Sequence, residues 1–123
     1  MNKKLELLEL SLKAAKWNEE YLSNNTLMMQ LDKINEESSE LSDAINREDL
    51  VQQRLELADV FIATSGLAAF NIRYYFLRML VMIEMLELDS VDISFLIDDV
   101  KAKLEVLKKR KYEIVDGVYR HIE

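Results

Sequence analysis

Four acids in this chain are spaced so that they could act together: Glu37 with Glu40, and Glu56 with Asp59. Members of each pair are three residues apart. A helix turns roughly 100° per residue, so they stand one above the other on a single face. Between the pairs, Asn46-Arg47-Glu48-Asp49 reads as a break. A second helix folded back beside the first would then aim all four carboxylates at one point. Half-buried carboxylates crowded in this way lose hydration and repel, so they protonate or take up a cation. Their oxygens are hard ligands, suited to Mg²⁺, Mn²⁺ or Ca²⁺. The plainer alternative is a solvated helix face in a chain with 23 acids.

The elements that must position these acids are helices. In the first acid-bearing segment, Leu27, Leu31, Ile34, Leu41 and Ile45 form the expected apolar stripe, with Glu37 and Glu40 beside it, next to Lys33 and Ala44. Glu36 is expected to point round toward solvent. In the second, Leu55, Ala58, Val60, Phe61 and Ile62 leave almost no polar face apart from Glu56 and Asp59. Ala63 and Gly66, about one turn on, are expected to leave room for something bulky.

At 123 residues the chain is long enough for one core but not for two. Half of it is apolar and 32% is charged, it has no proline, and its only glycines are Gly66 and Gly117. Long helices follow, and the expected class is all-α: an antiparallel bundle of four to five helices. The domain is expected over residues 1–111, with 112–123 as a C-terminal tail, either a short hairpin or extended. A net charge of −7 disfavours a general nucleic-acid or anionic-membrane surface. Without cysteine there are no disulfides or thiolate zinc sites. Glu6 and Glu9 interrupt the apolar start, which argues against a signal peptide, and the longest uncharged run, Val60 to Ile72, is too short to span a bilayer. The expected location is cytoplasmic.

In chain order, a first helix over residues 2–22 carries Leu5, Leu8, Leu12, Ala15 and Tyr21 on its expected inner face. Ser23-Asn24-Asn25-Thr26 ends it and offers caps for a helix from about Leu27 to Ile45. Trp17, the only tryptophan, either stacks on a base or packs the core. A third helix runs from about Glu48 to Phe70, with a kink or turn at Asn71-Ile72-Arg73. The stretch to Leu88, with Met79, Met82 and Met85, is apolar nearly all round, which points to core or, better, to a subunit interface. Asp89-Ser90 restarts the chain, and a last helix over residues 91–110 turns Phe95, Leu96, Val100, Leu104 and Leu107 inward. Its basic end includes Lys103 and Arg110, which border the stripe and could reach phosphate in a shared cleft, although cations at a helix C-terminus need no ligand. Asp116-Gly117 between β-branched residues is the pattern of a short hairpin.

Lys33-Ile34-Asn35-Glu36-Glu37-Ser38-Ser39-Glu40-Leu41 followed by Glu56-Leu57-Ala58-Asp59 resembles the signature of the MazG-like all-α NTP pyrophosphatases, K-x-x-E-E-x-x-E-L and then E-x-x-D one helix later. Gln30-Leu31 and the basic last helix are in keeping with it, while Ser38-Ser39 stands where that group favours an apolar-small pair. The resemblance is specific over residues 30–62. It implies a helical homodimer or homotetramer that uses Mg²⁺, with Mn²⁺ as a substitute, to cleave a nucleoside triphosphate into monophosphate and pyrophosphate. Carried over by position, Glu37, Glu40, Glu56 and Asp59 would be the metal ligands. Glu36 would orient or activate water, completing a catalytic set with Glu37 and Glu40. Lys33 would face phosphate or pair with Glu37. With Lys103, Arg110 and Trp17 it makes up the candidate substrate-binding set.

That chemistry suits the inventory, because such transfers need charge neutralisation and alignment more than a protein nucleophile. The one histidine, His121, lies in the tail, so Cys-His catalysis has no support. A helical interaction module without enzymatic activity is the alternative, its acids a solvated face and its wide apolar stripe a partner surface. A di-iron carboxylate bundle would need Glu-x-x-His on two helices, and that motif is absent.

Overall fold

The structure, a computed structural model, describes residues 2–22, 24–89, 91–116 and 118–122, with the backbone alone at 118, 119 and 121. Ser23, Ser90 and Gly117, which the sequence reading assigns to turns, lie outside the described residues, as does the side chain of His121. The elements in order are α1 (Lys3–Tyr21), α2 (Leu27–Asn46), α3 (Leu50–Ser65), a 3₁₀ turn (Gly66–Ala69), α4 (Ile72–Leu88), α5 (Ile93–Leu107), β1 (Lys111–Val115) and β2 (Val118–Ile122). This is the expected all-α bundle, with five helices and an antiparallel C-terminal hairpin that pairs Lys111 with Ile122 and Val115 with Val118.

Each helix begins at a residue whose side chain accepts a backbone N–H: Asn2, Thr26, Asp49, Asn71 and Asp92. Such a cap contributes about 1 kcal/mol. The break before α3 is tight. Glu48 takes a φ of 56°, and the Asp49 N–H donates to the Ala44 carbonyl at 3.1 Å. The third expected helix stops earlier than read, at Ser65, because the backbone tightens into the 3₁₀ turn. Asn71 then caps a new helix, its Oδ1 accepting from the Tyr74 N–H at 3.0 Å. The last helix likewise ends at Leu107 rather than 110.

α2 and α3 run antiparallel against each other, and α5 packs across α3 and α1. Arg54 of α3 reaches Asp99 of α5 through Nε at 3.0 Å and Nη2 at 2.8 Å, with its guanidinium over the Phe95 ring. Leu7, Phe61, Leu67, Tyr75, Met79 and Val100 are fully enclosed at the centre. A chain of hydroxyls crosses this core. Ser65 donates to the Phe61 carbonyl at 2.8 Å, which leaves Ser65 to accept from Ser11, and Ser11 from Tyr75, each at 2.7 Å.

Several expected faces are rotated. α1 buries Leu7, Leu10, Ser11, Ala14, Trp17 and Asn18, whereas Leu5, Leu12 and Tyr21 are exposed. Both lines have helical spacing; the one with Ser11 and Asn18 goes inside because their polar atoms find partners there. α2 buries Gln30, Ile34, Glu37 and Ala44, while Leu27 and Ile45 are exposed, since the side that carries them does not face α3. Leu55 and Phe95 are also exposed. α4 packs on the 3₁₀ turn and part of α3 and meets α1 through Tyr75 and the Lys4 ion pairs with Glu84 and Glu87, which leaves Phe76, Leu77, Leu80, Val81, Met85 and Leu88 on an open apolar face. Among the described residues no helix is long and apolar enough to cross a membrane.

Candidate active site

The turn at Glu48 brings the two acid pairs together. Glu37, Glu56 and Asp59 each offer a carboxylate oxygen within 4.8 Å of the others, and Glu36, Glu37 and Glu40 form a second such group that shares Glu37. Glu37 and Glu56 are buried, Asp59 is half-buried and Glu40 is exposed at the rim. Glu56 Oε1 accepts from Gln52 Nε2 at 2.6 Å, whereas Glu56 Oε2 and Glu37 Oε2 are buried with no hydrogen-bond partner. An orphaned buried carboxylate oxygen is costly unless something outside the chain satisfies it. Two of them here, from facing helices, form a donor set of the hard-oxygen type that fits a divalent cation.

Cations from every side meet this cluster. Lys33 Nζ lies 3.0 Å from Glu37 and 3.9 Å from Glu36, Lys103 Nζ lies 3.2 Å from Asp59, and Arg120 Nη1 lies 2.8 Å from Glu36. Glu36 therefore does not turn to solvent as expected. The hairpin folds over α2, and Arg120 holds the carboxylate against it.

The crowding shows in the proton affinities. Glu40 is raised from 4.5 to about 8, first by loss of hydration, then by the Glu37 charge and by hydrogen bonding with Glu56. Burial lifts Asp59 from 3.8 to about 6, with Lys103 pulling the other way and the Glu37 charge adding to the rise.

Beside the acids opens a cleft of about 130 Å³. Glu37, Asp59, Lys33, Lys103, Arg110 and Arg120 line its charged end, four cations to two acids in a chain of net charge −7. Trp17 and Tyr112 also line the cleft, together with Asn18, Asn25 and Gln30. Trp17 is buried, stacked on Tyr21 at 6.0 Å and meeting Tyr112 edge-on at 5.7 Å. Its Nε1 has no hydrogen-bond partner, and neither does the Tyr112 hydroxyl, although Arg110 lies close enough to oppose the upward push of burial on that phenol. Every buried unpaired side-chain polar atom among the described residues thus belongs to the cleft or to the acids beside it.

The space expected beside Ala63 and Gly66 is filled from within. Gln30 lays its amide there, donating to the Ala63 carbonyl at 2.5 Å and accepting from Asn18 at 3.2 Å and Asn25 at 2.6 Å. A Cβ on Gly66 would stand 2.3 Å from Gln30 Nε2, so a larger residue here would push the Gln30 amide out of its hydrogen bonds.

The structure therefore gathers Lys33, Glu37, Asp59, Trp17, Lys103 and Arg110 along one cleft, with Glu36, Glu40 and Glu56 at its edge. Sequence reasoning missed Arg120 and Tyr112, because the tail carries no motif. It also missed Asn18 and Asn25 as lining residues, although two asparagines flanking a helix end were a usable signal. Comparison with known proteins gives one family match: the model for phosphoribosyl-ATP pyrophosphohydrolase covers residues 6–94. That family lies in the all-α NTP pyrophosphatase superfamily that the acid signature resembles; the match is to this family and not to its MazG branch. No curated protein and no solved structure matches the chain.

Proposed function

Because this chain belongs to the phosphoribosyl-ATP pyrophosphohydrolase family, we propose that it hydrolyses a nucleoside triphosphate, ribo or deoxyribo, between the α- and β-phosphates, with Mg²⁺. One observation carries this reading beyond the family. Two orphaned carboxylate oxygens from facing helices sit beside a cleft in which cations outnumber acids. Glu37, Glu40, Glu56 and Asp59 would hold the ion, and Mn²⁺ suits the same oxygens. When bound, it would neutralise charge on the pyrophosphate leaving group and polarise the anhydride.

The remaining work falls to the chain. Lys33, Lys103 and Arg110 line the cleft where the phosphates must lie, and Lys33 and Lys103 can each exchange a carboxylate for a phosphate oxygen. Glu36, held in place by Arg120, is set to orient the attacking water and accept its proton, so that Glu36, Glu37 and Glu40 form the catalytic set. Trp17 bounds the nucleoside end. The catalytic body is residues 1–111, with 112–123 as its appended tail. The open face of α4 is where a second copy would dock, giving a homodimer or homotetramer, and the reaction is assigned to the cytoplasm.

The family match favours a second substrate, phosphoribosyl-ATP itself, which carries the same triphosphate on a larger nucleoside. One assay tests both. Purified protein with Mg²⁺ is given a panel of ribo- and deoxyribonucleoside triphosphates and phosphoribosyl-ATP, and products are resolved by chromatography. Monophosphate with intact pyrophosphate is expected. A diphosphate with free phosphate, or no turnover of any panel member, would leave the helical interaction module as the better account.

A further inference from the structure

The C-terminal hairpin forms a wall of the cleft that residues 6–94, the stretch matched by the family, do not supply. We propose that this hairpin is a substrate-binding element, in which Arg120 takes a phosphate of the nucleoside triphosphate and Tyr112 bounds its base. The proposal rests on the pyrophosphohydrolase reading and adds to it the residues that grip the ligand.

Arg120 is placed for an exchange of partners. Its Nη1 donates to Glu36 Oε2 at 2.8 Å, its side chain is 41% exposed, and it lines the cleft beside Lys33 and Lys103. A guanidinium presents five donors in a planar fork, so it can keep the Glu36 carboxylate while a second edge meets a phosphate oxygen.

Tyr112 serves the base. It is half-buried in the cleft wall, its ring centroid 5.7 Å from that of Trp17, and its hydroxyl has no hydrogen-bond partner. The cleft volume of about 130 Å³ is close to that of cavities of about 150 Å³ that enclose one benzene ring. It therefore receives part of a base, while ribose and phosphates lie along the mouth toward Arg120. Tyr112 also offers an aromatic face on which any base can stack.

The test uses the full chain and two probes. Pyrophosphate release from a turned-over nucleoside triphosphate gives kcat and KM, and calorimetry with Mg²⁺ and inorganic tripolyphosphate reads the phosphate subsite alone. Arg120→Ala is expected to raise KM and to weaken tripolyphosphate binding, each by about ten- to a hundredfold, with Arg120→Lys recovering part of both. Tyr112→Ala is expected to raise KM by about tenfold or more while leaving tripolyphosphate binding unchanged. Thermal melts identify any variant that fails to fold, and Tyr112→Leu and Arg120→Lys then carry the comparison. Unchanged tripolyphosphate binding in a folded Arg120 variant overturns the phosphate role. Equal loss on both probes for Tyr112→Ala overturns the base role. If the wild-type protein cleaves no nucleoside triphosphate, the pyrophosphohydrolase reading fails, yet calorimetry still decides whether Arg120 binds phosphate.

Discussion

Acidification from about pH 7.5 to about pH 5 should stabilise the metal-free protein through Asp59, the reverse of what an ordinarily paired carboxylate does. Burial lifts this carboxyl from 3.8 to about 6, outweighing Lys103 at 3.2 Å. Between those values the folded chain binds the proton that the unfolded chain has released, so stability falls as pH rises through the window. At roughly 1.4 kcal/mol per pKa unit, the ionised folded form carries a penalty of about 3 kcal/mol above pH 6, and about half of it is relieved at pH 5. Half of that penalty corresponds to roughly 5 °C in melting temperature for a chain of this size. Glu40, raised to about 8, acts in the same direction and extends the rise to higher pH. Asp59→Asn should remove the Asp59 contribution, so that at pH 7.5 the metal-free variant is more stable than wild type by up to about 3 kcal/mol. Mg²⁺ should close that gap, because the ion binds the ionised carboxylate and stabilises only the folded state. The assay is a series of melts of both proteins from pH 5 to 8, with chelator and with Mg²⁺. A difference between wild type and Asp59→Asn that does not change with pH would refute the reasoning.

Four shorter tests follow. Glu40→Gln should cut turnover by at least about a hundredfold with unchanged circular dichroism, whereas Glu9→Gln, on α1 away from the cleft, should keep wild-type rates in the same pyrophosphate assay. Gly66→Ala should cost about 1–3 kcal/mol in urea unfolding and raise KM, since its Cβ would displace the Gln30 amide. Tyr75→Phe should cost about 1 kcal/mol in the same unfolding assay and leave KM unchanged, because the hydroxyl it removes lies in the core. Light scattering at micromolar concentration should give a dimer or larger, and Leu80→Glu on the open face of α4 should shift it to monomer.

The acid signature was legible because its spacing alone dictates a shared face, and a charged break between two helical patterns dictates the fold-back. A bundle of four to five helices was legible from the helical patterns, and the Asp-Gly pair pointed to a hairpin, but nothing in the pattern decides whether Asn71 kinks one helix or starts another. Which face of α1 points inward was not. Leu5-Leu8-Leu12 and Leu7-Leu10-Ala14 are equally good stripes, and the choice depends on Ser65 and Tyr75, more than fifty residues away, offering hydroxyls to Ser11. The partner of Glu36 was hidden for the same reason. Arg120 is 84 positions away, and no local pattern ties a strand residue to a helix acid. The room expected beside Ala63 and Gly66 is instead occupied by the chain's own Gln30.

The hydroxyl chain through the core has a mechanical consequence. Apolar helices can slide past one another by a turn at modest cost, since one leucine replaces another against the same wall. α1 cannot, because a slip of one turn would strand the hydroxyls of Ser11, Ser65 and Tyr75 in a dry interior. The Ser11 contact therefore acts as a pawl that holds α1 in one axial position against α3 and α4. Asn18 lies seven residues further on, two turns along the same face and roughly 10 Å away. With Trp17 it forms the α1 side of the cleft, so the position of that wall is set by three hydroxyls that do not line it.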